Sequence, residues 1–242
     1  MDKLFSIELH RFFIPGTGRD HYFWVKRNLL TDQFVVEAHG LPWDKKHGRW
    51  EYAPVSAIFG LSKAYQLKFK EIYKPEEFYS NSSGTSLAFI YVGTEEEVNE
   101  RWNSAVKMAE FLNTKNIDYV LASLNPAGLP ASNSNAMAFT FGRAMGFEPF
   151  RLRDPESGLV LPAPGWGRDF HLEYDDAPVS PYRDPGRPNQ DRNKPIPLIK
   201  QKGLDDSIRE GRAGNRDVQL ASYRYTPSDD STRETVRRTA AR

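Results

Sequence analysis

Over the first ninety residues several short apolar runs bounded by polar and turn residues read as strands. Leu4 to Phe13 is rich in strand formers, and His21 to Lys26 and Gln33 to Ala38 read as two further strands joined by a polar loop around Asn28 to Asp32. Tyr65 to Tyr73 sets Tyr65, Leu67 and Phe69 against Gln66, Lys68 and Lys70, the alternation of a half-buried strand, and Leu87 to Val92 is another apolar run. Pro15-Gly16-Thr17-Gly18-Arg19-Asp20 punctuates the first two strands as a turn.

The period then changes. Val98, Trp102, Ala105, Ala109 and Leu112 recur at three and four between Thr94 and Asn116. Thr94 followed by Glu97 forms a capping box, which predicts a helix starting there. Residues 124 to 130, Leu-Asn-Pro-Ala-Gly-Leu-Pro, break the chain, and a second helix is predicted from about Asn133 to Met145, stopped by Gly146. Strands first and helices later predict an α+β fold, an antiparallel sheet packed on helices. No internal repeat is present.

From Pro162 onward prolines crowd the chain, and after residue 180 only eight Val, Ile, Leu or Phe residues occur in 62. Such a segment buries too little apolar area to offset its ordering entropy. The expectation is therefore a folded domain over residues 1–180 and a mostly disordered, Pro-rich tail over 181–242, with a weak helix near Leu204 to Arg212. Charge divides the same way: the body holds 19 Lys and Arg against 23 Asp and Glu, the tail 14 against 9. A basic tail suits an anionic partner, or is simply solvated.

The absence of cysteine excludes disulfides, thiolate metal sites and a cysteine nucleophile. No cofactor and no metal set is expected, because only Glu37 beside His39 approaches ligand spacing. No run of 18 apolar residues occurs, so no transmembrane segment is expected, and a charged start argues against a signal peptide. The expected location is cytoplasmic, with signal-independent export left open. The glycines of residues 15–20 lack the Gly-Lys-Ser/Thr ending of a phosphate loop. An acidic body opposes reading its aromatic runs as a nucleic-acid surface.

The dense chemical signal is Ser132-Asn133-Ser134-Asn135 at a helix mouth, where free N–H groups favour a developing anion. Two readings stand: these residues cap the helix, or Ser134 is a nucleophile needing a base. The alternation also puts His21 with Phe23 and Val25, and His39 with Val35 and Glu37. Antiparallel pairing of those strands makes His21 and His39 near neighbours, a base and its orienter. His10, His47 and His171 lack a comparable setting.

Asn133-Ser134-Asn135, with Phe139 four residues later, resembles the Asn-Cys-Asn-x-Phe motif of the circularly permuted papain-like peptidases and amidases, of which the PPPDE peptidases are a branch. It resembles more closely bacterial relatives carrying Asn-Ser-Asn-Ser. Asp20-His21-Tyr22-Phe23-Trp24, Glu37-Ala38-His39-Gly40-Leu41 and Pro164-Gly165-Trp166-Gly167 are similar to further elements of those proteins, in the same order, over residues 4 to 170.

The resemblance implies a permuted papain-like fold with Ser134 at the nucleophile position, His21 as base and His39 as third polar residue. Asn133, Asn135 and Glu37 would support it, and the Ser134 and Asn135 N–H groups would form the oxyanion hole. The activity implied is hydrolysis of an amide or ester in a peptide-like or acyl substrate. Because serine replaces cysteine, the other reading is a catalytically inactive papain-like module that binds a protein partner and recruits others through its basic tail.

Overall fold

The structure is a computed structural model of the 242-residue chain. It describes residues 4–14, 19–51, 65–81, 85–120, 131–153, 159–160, 162–182 and 223–225. The expected turn at 15–18, the chain break at 124–130 and the weak helix at 204–212 lie outside them.

The fold is α+β: one antiparallel sheet and two α-helices. The strands are β1 (Leu4–Ile14), β2 (Arg19–Asn28), β3 (Gln33–Asp44), β4 (Arg49–Trp50), β5 (Tyr65–Ile72), β6 (Thr85–Thr94) and β7 (Tyr223–Tyr225). Their order is β4-β3-β2-β1-β6-β7, with β5 on the other edge of β3. β7 comes from the tail expected to be mostly disordered, where Tyr223–Tyr225 pairs with Thr85–Leu87. Composition misses it because a strand lying on a sheet edge gains backbone hydrogen bonds without needing apolar side chains.

Helix α1 (Glu95–Thr114) carries the capping box Thr94–Glu97 and buries Val98, Trp102, Ala105, Met108, Ala109 and Leu112. Helix α2 (Ser134–Ala144) is buried along its whole length, and Gly146 follows it at φ +86°, the left-handed geometry of a helix stop. Both helices cover the sheet face formed by Ile7 and Leu9 of β1, Tyr22 and Trp24 of β2, Ala38 of β3 and Leu67 and Phe69 of β5. Trp24 Nε1 donates to the Ala138 carbonyl at 2.7 Å, and the Phe69 and Phe141 rings lie 5.1 Å apart.

Cross-strand register assigns the opposite face. His10 pairs with Phe23, Phe12 with His21, Glu8 with Val25, and Val25 with Glu37, so these side chains share one surface with His39. Two 3-10 turns, Pro75–Glu77 and Tyr79–Asn81, pack on this second face.

β3 has a gap along one edge. Its outer edge carries β5 over residues 37–44, whereas its inner edge carries β2 over residues 33–38 and the short β4 at 43–44. Residues 39–41 are left without a strand neighbour on that side, and the N-terminus of α2 enters there. Among the described residues no helix is long and apolar enough to cross a membrane.

Candidate functional site

The seam between β2 and β3 is closed by a side chain. The Asn135 Oδ1 accepts from Tyr22 N–H at 3.0 Å, and its Nδ2 donates to the Asp20 carbonyl at 3.0 Å and to the Pro164 carbonyl at 3.2 Å. The first two are the peptide groups flanking His21. Asn135 thus stands in for the missing strand partner and ties α2 to β2.

Across the seam, Gly40 lets the helix approach. A Cβ at this position would lie 2.5 Å from the Met137 Cβ and 3.2 Å from the Ser134 Cα, so only glycine fits. Ser134 therefore lies beside the peptide that follows His39, one residue from the clamp that brackets His21.

The two histidines are joined directly. His21 Nε2 lies 2.9 Å from His39 Nδ1, and His39 Nε2 lies 3.0 Å from Glu37 Oε2. Glu37 is held in turn by the N–H groups of Tyr79 at 2.8 Å and Ser80 at 2.9 Å. A carboxylate only accepts, so His39 donates from Nε2 and its Nδ1 becomes the acceptor. His21 must then donate from Nε2, which places the lone pair of the neutral ring on Nδ1.

Electrostatics supports these states. Burial lowers the His21 pKa well below the ordinary 6.5, and the neighbouring His39 lowers it further. Burial also lowers His39, against the opposing pull of Glu37. For Glu37, burial favours the neutral acid, but the hydrogen bonds from His39 and Ser80 outweigh it and leave the pKa lowered. The arrangement is an anion and two neutral imidazoles at neutral pH.

At the helix mouth the capping reading holds for one of the three candidate residues. Asn133 is the N-cap: its Oδ1 accepts from Asn135 N–H at 3.0 Å and Ala136 N–H at 3.4 Å. Ser134 is the first helical residue, and its interaction with the Tyr119 phenol offsets part of the burial that raises the pKa of that phenol. The Val120–Ser132 bridge sets these segments side by side. Of the two N–H groups assigned to an oxyanion hole, that of Asn135 is taken by the Asn133 cap. The His21 and His39 rings bond to each other and to Glu37.

Comparison with protein-family profiles, curated proteins and solved structures gives no match.

The Pro164-to-Gly167 element closes the helix mouth. Gly165, at φ +83°, lies so near the cap that a Cβ would be 2.7 Å from Asn133 Oδ1. The Trp166 ring packs 4.5 Å from Tyr22 and 5.6 Å from Phe139. Arg168 donates to the Ala131 carbonyl at 3.1 Å and to the Ser132 hydroxyl.

Sequence reasoning missed a second buried acid–imidazole pair. His10 Nε2 bonds Glu8 Oε2 at 2.8 Å, Ser6 donates to Glu8 Oε1 at 2.7 Å, and the Arg27 guanidinium lies 3.7 Å from the same oxygen. The signal was present as Glu8 and His10 two apart on one strand face, the spacing also of Glu37 and His39. Phe23 lies between the pairs, 5.4 Å from the His10 ring and 4.6 Å from His39. His47 bonds Asp44 beside its own turn, and His171 bonds the Pro178 carbonyl, so both serve local structure. Among the described residues no group of three or more His, Cys, Asp or Glu converges as a metal site.

Proposed function

We propose that this chain is a papain-like serine hydrolase of an amide or ester bond in a peptide-like or acyl substrate, with Ser134 as nucleophile and His21 as base. The observation that carries the reading is the chain Glu37–His39–His21, whose hydrogen bonds leave the His21 Nδ1 lone pair as its outer end. The clamp of Asn135 fixes the peptides on either side of His21 to the first turn of α2, while the His21 ring itself lies on the opposite sheet face.

In this reading the Ser134 hydroxyl must leave Tyr119 and reach His21 through the gap beside residues 39–41 of β3. Its oxygen attacks the substrate carbonyl carbon while its proton passes to Nδ1, and the carbonyl electron pair moves onto oxygen. The imidazolium so formed is offset by Glu37 through His39. Collapse expels the amine or alcohol, which takes the proton from His21, and water then repeats the sequence on the acyl-enzyme to release the acid. His39 holds the ring and tautomer of His21, and Glu37 does the same for His39.

The test is covalent labelling with a fluorophosphonate, read by peptide mass spectrometry. Modification at Ser134 that is abolished in His21→Ala supports the reading, and an unlabelled wild-type protein rejects it.

A second reading, the inactive binding module, is favoured by one observation: strand register puts the His21 and His39 rings on the sheet face opposite α2 and Ser134. It predicts that Ser134→Ala leaves every binding property unchanged.

A further inference from the structure

The 3-10 turn at residues 79–81 touches the histidine chain at each of its groups. The Tyr79 ring centroid lies 4.7 Å from that of His39, 5.5 Å from His21, 6.0 Å from Phe23 and 5.9 Å from Phe12. Its N–H donates to the Glu37 oxygen that also accepts from His39, and the next N–H, of Ser80, takes the other oxygen. One residue thus roofs both imidazoles with its side chain and pins the carboxylate with its backbone.

We propose that Tyr79 is a positioning residue for His21: its ring keeps the imidazole pair dry and its peptide group fixes Glu37, so that His21 holds a single tautomer with Nδ1 free to accept a proton.

The groups facing the pair are few. From β1 come Glu8 and His10, with Arg27 of β2 behind them. From β5 comes Lys70, which lies 3.6 Å from Glu77 of the preceding turn. Lys70 and His10 both act against a charge on His39, and Glu37 acts for it. None of them covers the rings, so removing the Tyr79 ring admits water without altering this balance of charges. The hydration of the imidazolium form is then recovered, and His21 regains affinity for protons.

The inference rests on the reading of His21 as the base, but its readout requires no turnover. Long-range proton–nitrogen NMR of the full chain, labelled with nitrogen-15 at histidine, reports the tautomer and titration of each ring. The wild-type protein should show His21 protonated on Nε2 alone, with a titration below that of an ordinary histidine. Tyr79→Phe, which keeps the ring, should match it. Tyr79→Ala should raise the His21 titration midpoint by about one pH unit or more, the size of a typical environmental shift, and mix the two tautomers.

A midpoint and tautomer unchanged in Tyr79→Ala overturn the proposal, as does an equal shift in Tyr79→Phe, which would assign the effect to the hydroxyl. Amide hydrogen exchange in the wild-type protein provides a check that survives a poorly folded variant. Tyr79 and Ser80 N–H should be strongly protected, and exchange at the rate of an open turn sinks the idea. A shifted His21 in a protein that no fluorophosphonate labels would retain the role of Tyr79 and remove the serine hydrolase. A labelled protein with an unshifted His21 would do the reverse.

Discussion

His21 and His39 are neutral because burial lowers both pKa values, and this has a consequence for stability. The unfolded chain takes up these protons near the ordinary 6.5 while the folded chain still refuses them. As pH falls through that window the unfolded state binds more protons, and stability drops. Glu37, with a lowered pKa, acts in the same direction at lower pH, since its contribution is lost as it protonates. The urea midpoint should therefore be lower at about pH 5.5 than at about pH 7.5, and His21→Gln should flatten part of that slope. An increase in stability on acidification would contradict neutral buried imidazoles.

At the helix mouth, the cap belongs to Asn133 and not to Ser134. Asn133→Ala should cost about 1–2 kcal/mol, measured by urea unfolding, and Ser134→Ala distinctly less. Ser134→Cys separates the functional readings: a thiol at a helix N-terminus near His21 should react with iodoacetamide faster than an ordinary thiol of pKa about 8.5. Tyr119→Phe should leave that reaction intact, because the phenyl ring still fills the buried site.

Elements differ in what made them legible. Helix α1 was readable to the residue at its start because Thr94 and Glu97 satisfy the first N–H groups locally. Strand β5 was readable from alternation, and β1, β2, β3 and β6 from runs rich in apolar strand formers. The two-residue β4 was not, because Arg49 and Trp50 carry no period. The seam itself was hidden as well: where β2 leaves β3 depends on Asn135, 113 positions beyond the Tyr22 N–H it accepts from. The proximity of His21 and His39 needed only a hairpin, but the third position needed this long-range clamp. Asn135→Ala removes three side-chain hydrogen bonds and leaves a buried N–H and carbonyl unpaired. A loss of about 2–6 kcal/mol is expected, two such groups at about 1–3 kcal/mol each. Gly40→Ala should likewise destabilise, by about 1–3 kcal/mol for an overpacked contact.

For the whole molecule, the folded body extends past residue 180. Ser180 donates to the Ala144 carbonyl, the Tyr182 hydroxyl donates to Glu100 at 2.8 Å, and the Arg101 guanidinium lies 4.7 Å from the Tyr182 ring. Proline content suggested an earlier limit, but these contacts belong to side chains reaching back onto α1 and α2. A chain ending at Tyr182 should melt within a few degrees of the full protein by calorimetry, since among the described residues it loses only the three-residue β7. A chain ending at Val179 should melt distinctly lower. Equal melting of the two shorter chains would show that Ser180 and Tyr182 contribute nothing.

The indole of Trp24 lies on the helix face of the sheet, sealed from water, and gives its proton to a carbonyl in the middle of α2. A ring so placed is an optical gauge of the distance between helix and strand. With 5-fluorotryptophan in the chain, its fluorine resonance would move whenever α2 lifts, even slightly, from β2. The opening and closing of the seam could then be timed in solution without any substrate being known.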